Sequence, residues 1–329
     1  MKIKFLPYQP HCFAFGGFEI QMLSAFKALE SLGVNVEKMD VWSRDNDYQI
    51  AHCWGLDLAN YENVKWAKKS GKIVVITALV GYYEDMVDRI KFRISSSFYK
   101  ERLIKEMVTY IDRFVVLNEL QAKIIHEHYG IAKDRIHIIP NIVDERFYQI
   151  ANESPIISDY VLIVGNVCTR KNQLALAKAC VLENLKLIII GGVLRGEEGY
   201  GEQLTQIVNN NVNISWIKGL KENSDELLDY YKKCSIFALP SFIEQQPISL
   251  LEAAVMNKPL IIANKAYGKQ KYYENSYLVN PKSVRSIQNG LRKVINDKSS
   301  YLPNQNLLKE CKSENVGRAY MEVYHRFNT

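Results

Sequence analysis

The chain has 329 residues, 47% hydrophobic and 24% charged, the balance of a folded globular protein, and this excludes a disordered chain. That length is a prior for about two domains of ~150 residues each, and it suffices to bury roughly three quarters of the unfolded surface without staples. Forty-two basic against 36 acidic residues leave a net charge of +6. This suits an anionic ligand or membrane surface, but without a concentrated patch it is too weak to imply nucleic acid.

Short β-branched runs alternate with longer amphipathic ones from the start. Strands are predicted at Lys2–Leu6, Val34–Met39, Gln49–Cys53, Lys72–Leu79, Arg113–Leu117 and Ile136–Ile139, with helical patterns such as Phe18–Leu32, Leu56–Ser70 and Glu119–Tyr129 between them. That order is the mark of a parallel sheet with helices on both faces. Ala151–Ser158 is polar, contains Pro155 and reads as a linker. The pattern then restarts at Tyr160–Val164, Leu185–Ile190, Val212–Ile217, Ser235–Leu239, Lys258–Ala263 and Tyr277–Val279, and ends in one amphipathic helix over Ser313–Phe327. Runs such as Leu187–Ile190 are apolar without alternation, as strands covered on both sides require. The expected domains are therefore 1–150, 151–312 and a closing helix, 313–329.

No apolar run reaches the ~18 residues that span a bilayer, and Met1–Pro7 has too short an apolar core for a signal peptide. Cys12, Cys53, Cys168, Cys180, Cys234 and Cys311 form no C-x-x-C pair. They read as buried free thiols of a cytoplasmic protein rather than a disulfide framework or zinc knuckle.

In open parallel sheets ligands bind beyond the carboxyl ends of the strands, so the loops after strands carry the chemistry. Gly16 and Gly17 open the first helix, where backbone N–H groups can approach an anion; a tight turn without a ligand is the plainer use of the same pair. Gly165, Asn166, Arg170 and Lys171 follow Tyr160–Val164. A strand-end glycine with an adjacent forked and point cation suits a diphosphate, and a solvated basic turn has the same sequence. The third loop, Pro240–Gln246, leads through Pro247, Ile248 and Ser249 into a helix. Glu244 lies in the loop and Glu252 eight residues later in the helix, two carboxylates able to accept from sugar hydroxyls. The fourth, Ile139–Asp144, serves catalysis or merely the crossover between domains. Asp45-Asn46-Asp47 has metal-ligand spacing, but it lies in a polar turn that it more simply caps.

Together these loops resemble the retaining, sugar-nucleotide-dependent glycosyltransferases of family 4. The resemblance rests on Glu244 and Glu252 within Pro-Ser…Leu-Leu-Glu-Ala, on Ile139-Pro140-Asn141-Ile142-Val143-Asp144, on the Gly165 loop ending in Lys171, and on Gly16-Gly17. It implies an α/β protein with two facing Rossmann-like doubly wound domains, the GT-B fold. It further implies a hexose moved with retention from a UDP- or GDP-sugar to the hydroxyl of a glycan or lipid-linked acceptor, as in bacterial-type surface polysaccharide synthesis, with no cofactor and no metal. By position Glu244, Lys171 and Arg170 are catalytic. Gly16, Gly17, Gly165, Asn166, Gln246, Pro247, Ile248 and Ser249 surround the donor, Lys218 and Gly219 lie near the base, and Glu252 holds the ribose. The alternatives are a nucleotide-sugar epimerase of the same architecture and a catalytically silent nucleotide-binding scaffold. Two departures separate them: Asn166 stands where the family often has Arg, and Ile76–Gly81 lacks the family's acceptor-side His, for which His11 and His52 are the nearby substitutes. Met86–Met107 carries six basic residues against three acidic, interleaved with apolar ones. It reads as a solvated helix or as a basic amphipathic one resting on the inner face of an anionic membrane.

Overall fold

The computed structural model describes residues 1–13, 15–82, 99–151 and 158–327. Residues 86–98 of the basic segment and 152–157 of the expected linker lie outside them. Each of the twelve expected strands is present to within two residues at either end.

The chain divides into two units, Met1–Ile142 with Glu310–Thr329, and Val143–Lys309. In the first, β1 (Lys2–Pro7), β2 (Asn35–Lys38), β3 (Ile50–Trp54), β4 (Ile73–Thr77), β5 (Arg113–Val116) and β6 (Ile136–Ile138) form an all-parallel sheet in the order β2-β1-β3-β4-β5-β6. Its helices are α1 (Gly17–Ser31), α2 (Tyr61–Lys69), α3 (Tyr99–Thr109) and α4 (Glu119–Tyr129). Alternate strand residues point to opposite faces. Ile3, Phe5, Ile50, Trp54, Val75 and Val115 therefore join Met22, Ala25 and Leu29 of α1, whereas Val74, Ile76, Phe114 and Val116 join Val64, Ile104, Met107 and Ile125 of α2, α3 and α4.

The second unit holds α5 (Glu145–Ala151), β7 (Tyr160–Val164), α6 (Gln173–Leu182), β8 (Lys186–Ile190), α7 (Glu198–Asn209), β9 (Ile214–Ile217), α8 (Asp225–Lys233), β10 (Ile236–Leu239), α9 (Ile248–Val255), β11 (Leu260–Ala263), β12 (Tyr277–Val279), α10 (Val284–Asn296) and α11 (Gln305–Leu308). Its sheet, also parallel, runs β12-β11-β10-β7-β8-β9. Counted within the unit this is the 3-2-1-4-5-6 order of Rossmann folds, whose direction reverses between β7 and β10.

The unit boundary falls at 142/143, where the sequence reading puts it at 150. The reason is α5: its buried Phe147 packs edge-on against Tyr231 at 5.2 Å, Asn223 donates to Asp144, and Arg146 pairs with Asp225. The closing helix, α12 (Ser313–His325), belongs to the first unit, with Val316, Tyr320, Val323 and Tyr324 buried in the cluster around α1.

Candidate active site

The reversal of strand order in the second unit forces the loops after β7 and β10 to leave their neighbouring strands in opposite directions, which opens a crevice at the sheet's carboxyl edge. Lys171 comes from the first loop and Glu244 from the second. Lys171 Nζ lies 2.8 Å from Glu244 Oε1, and Arg170 Nη1 2.9 Å from the same oxygen. Lys171 and Glu244 are buried and Arg170 half-exposed. Arg170 also donates to the Ile243 carbonyl, while its own carbonyl accepts from the Phe242 amide, which fastens the two loops together. Burial pushes the Glu244 carboxyl up, but Lys171 and then Arg170 pull harder, leaving it below its ordinary range and ionised. The cluster thus holds two cations against one anion.

Backbone conformation makes this possible. Gly165 ends β7 at φ +140°, and a Cβ there would lie 2.7 Å from Lys171 Cε, so only glycine leaves room for the lysine stem. Asn172, left-handed at φ 64°, turns the chain into α6 and donates to the carbonyls of Pro240 and Pro281. Gly191, at the end of β8, has φ +151°, and a Cβ on it would strike the Gly165 carbonyl oxygen at 2.1 Å. That residue escaped the sequence reading, although the signal that marks Gly165, a glycine directly after an apolar run, marks it too. Asn166 is half-buried, and its carbonyl accepts from Gln173 Nε2. Gly219 follows β9 at φ +140° with open space around it. Lys218 is exposed, its Nζ 5.6 Å from the ring centre of Trp216, whose indole donates to the Gly191 carbonyl.

Pro247 caps α9 rather than occupying its first helical position. Gln246 Nε2 donates to Gln270 Oε1, and Gln270 Nε2 to the Gln245 carbonyl. Ile248 opens the helix, and the Ser249 carbonyl accepts from the Tyr231 hydroxyl. The same hydroxyl donates to Glu252 Oε2 at 2.6 Å. Burial raises the Glu252 carboxyl to about 7, Tyr231 opposing and the charges of Asp144 and Glu222 adding to the rise. Tyr231 was not legible from motif spacing, since α8 delivers it from 21 residues upstream. Glu252 sits in α9, eight residues after Glu244.

The remaining residues lie in the first unit. Gly16 is extended and caps α1, and Gly17 is that helix's first residue. One backbone donor there is taken: the Gly16 amide donates to the carboxylate of Glu19 at 2.8 Å. His52 is a core residue. Fully buried, it bonds Tyr324 at 2.6 Å and Thr77 at 2.9 Å, and burial drives its pKa well below the ordinary value, so the ring is neutral. Asp45 binds the Asp47 amide, Lys4 and Lys2, so this acidic pair serves its turn.

Two parallel α/β units, the second with a buried lysine and a half-exposed arginine at its switch point, define a protein of the GT-B glycosyltransferase architecture. The chain belongs to the glycosyl transferases group 1, whose family profile matches residues 147–313, and residues 15–147 match Glycosyltransferase Family 4. It is 27% identical over 198 residues to an uncharacterised glycosyltransferase of Methanocaldococcus jannaschii, covering 55% of this chain and 44% of that protein. It is 24% identical over 177 residues to the D-inositol 3-phosphate glycosyltransferase of Nocardiopsis dassonvillei, covering 48% and 41%. These matches span less than half of either relative. The crystal structure of Anabaena HepE in complex with UDP superposes with a TM-score of 0.75 at 14% identity over 99% of this chain and 100% of that one, a likeness of fold.

Proposed function

We propose that the protein is a retaining hexosyltransferase that takes its sugar from a nucleoside diphosphate donor and passes it to an acceptor hydroxyl. The observation that carries this reading is the convergence of Lys171 and Arg170 on Glu244 at the switch point of a Rossmann-like unit. Breaking the bond between a sugar and a diphosphate develops negative charge on the leaving group, so the chief demand on the protein is preorganised countercharge. Lys171 and Arg170 provide it in a low-dielectric setting, where such groups act most strongly. A diphosphate competes with Glu244 for both cations, since phosphate oxygens make strong charge-assisted hydrogen bonds. Glu244, released, then accepts from hydroxyls of the transferred sugar. The start of α9 adds the positive end of its dipole, and Glu252 accepts from the ribose.

UDP is the first donor nucleotide to test, because HepE is seen with it. GDP is the second. The acceptor in this reading is a glycan or lipid-linked glycan of surface polysaccharide synthesis. Lys100, Arg102 and Lys105 stand exposed on α3 and suit an anionic membrane surface. Co-sedimentation with anionic liposomes at low salt, where screening is least, checks that last point. The epimerase and the silent scaffold draw no support from the family match.

Transfer from UDP-glucose to a saccharide, followed by proton NMR of the new anomeric signal, tests the whole. The reading predicts a product of the donor's own anomeric configuration. It also predicts a fall in turnover of roughly 10²–10³ in Lys171→Ala, the range for removing one transition-state donor, with the fold intact. An inverted product or near-normal turnover by the variant refutes it.

A further inference from the structure

The loop between β10 and α9 carries Glu244 but forms no helix or strand of its own, so its backbone must be held by other means. Side chains from two neighbouring loops hold its carbonyls. From the loop after β7, Asn172 donates to the Pro240 carbonyl and Arg170 to that of Ile243. From the loop after β11, the Tyr267 hydroxyl lies 2.8 Å from the Leu239 carbonyl and 3.2 Å from that of Ser241, and Gln270 donates to that of Gln245. β10 stands between β7 and β11 in the sheet, so the loop is gripped from both sides. The sequence reading assigns the second grip no role.

That second grip is itself fixed. Tyr267 is fully buried and Gln270 5% exposed. A Cβ on Gly268, between them, would lie 2.5 Å from the Ala263 carbonyl oxygen, so the turn Ala266–Lys269 presses directly on the end of β11.

Gln270 makes two bonds of opposite sense. Its Oε1 accepts from Gln246 Nε2 at 3.0 Å, and its Nε2 donates to the Gln245 carbonyl at 2.6 Å. A carbonyl only accepts, which fixes the orientation of this amide. A carboxylate at 270 could not make the second bond, and an ammonium could not make the first. The Gln245 carbonyl and the Gln246 N–H belong to one planar trans peptide unit and point in opposite directions. Holding the carbonyl on the β11 side therefore turns the N–H towards the β7 side, where Lys171 and Arg170 stand. We propose that Gln270 is a positioning residue for the donor: it touches no substrate, and it aims the Gln246 amide at the diphosphate held by those two cations. This rests on the donor reading given above.

The test uses the full chain and Gln270→Met, which fills similar space without polar atoms and changes no charge. Gln270→Asn, whose amide falls one methylene short, is the second variant should the first not fold. UDP, GDP, uridine and guanosine are titrated calorimetrically, with Lys171→Ala measured alongside. Gln270→Met is expected to bind the preferred diphosphate at least about fivefold more weakly, the worth of one hydrogen bond, and the matching nucleoside as wild type does. A merely structural role weakens both ligands alike, and that result, or unchanged binding of the diphosphate, overturns the proposal. Selective loss in Lys171→Ala with none in Gln270→Met overturns this proposal alone and leaves the donor reading standing. A wild type that binds neither diphosphate overturns both.

Discussion

Glu252 is the residue whose chemistry depends most on where the fold puts it. Burial lifts its carboxyl to about 7, so near neutrality it is a mixture of a neutral acid and an ion. In the proposed reading Glu252 accepts from ribose hydroxyls, which donate better to the ion, so nucleotide binding would expel the proton. UDP affinity is therefore predicted to rise between pH 6 and pH 8 and to level off above the raised pKa. Glu252→Gln is predicted to bind more weakly with no such slope; calorimetric titration at several pH values checks both, and a pH-independent wild type contradicts the assignment. The sequence placed this carboxylate in a helix eight residues after Glu244, but not its protonation. That is set chiefly by its burial, opposed by Tyr231 and helped by Asp144 and Glu222, none of which a local pattern links to it.

At the scale of elements, strands were legible because parallel sheets bury both faces, so runs such as Leu187–Ile190 carry no polar alternation to mislead. Loops were legible where a single residue type is forced. Gly165 is one such place; Gly191, with no room for a side chain beside the Gly165 carbonyl, carried the same signal and was missed. Gly191→Ala is predicted to destabilise the second unit by at least about 2 kcal/mol, from backbone strain alone at the upper part of the usual range with the clash added. Denaturant unfolding measures this, and an unchanged midpoint excludes the packing described. Less legible was the start of α1. Gly-Gly before a helix suggests an anion site; that Glu19 takes the Gly16 amide is a capping signal that also stands in the sequence beside the glycines. The hydrogen bonds between Gln270 and the Gln245–Gln246 segment cross 24 or 25 residues and had no sequence signal.

For the whole molecule, the two units are predicted to answer acid in opposite senses. In the first, His52 is held neutral by burial, and His137 is pushed to about 4 by burial and then by Arg326 and Arg113. The unfolded chain takes up those protons below about pH 6.5 and the folded one resists, so this unit loses stability as pH falls through that range. In the second, the raised Glu252 makes the folded state the better proton acceptor between its ordinary 4.5 and about 7, so this contribution is complete below 4.5 and lost as pH rises through 7. Calorimetric scans from pH 7 to 5 should lower the first unit's transition and raise the second's; a parallel shift contradicts the assignment. The most direct measurement is calorimetric titration of the wild type and Lys171→Ala with UDP and GDP. One nucleotide is predicted to bind the wild type and to bind the variant at least about tenfold more weakly, the worth of one charge-assisted hydrogen bond. Equal binding by both proteins, or no binding of either nucleotide by the wild type, would contradict a diphosphate grip built on Lys171, Arg170 and Glu244.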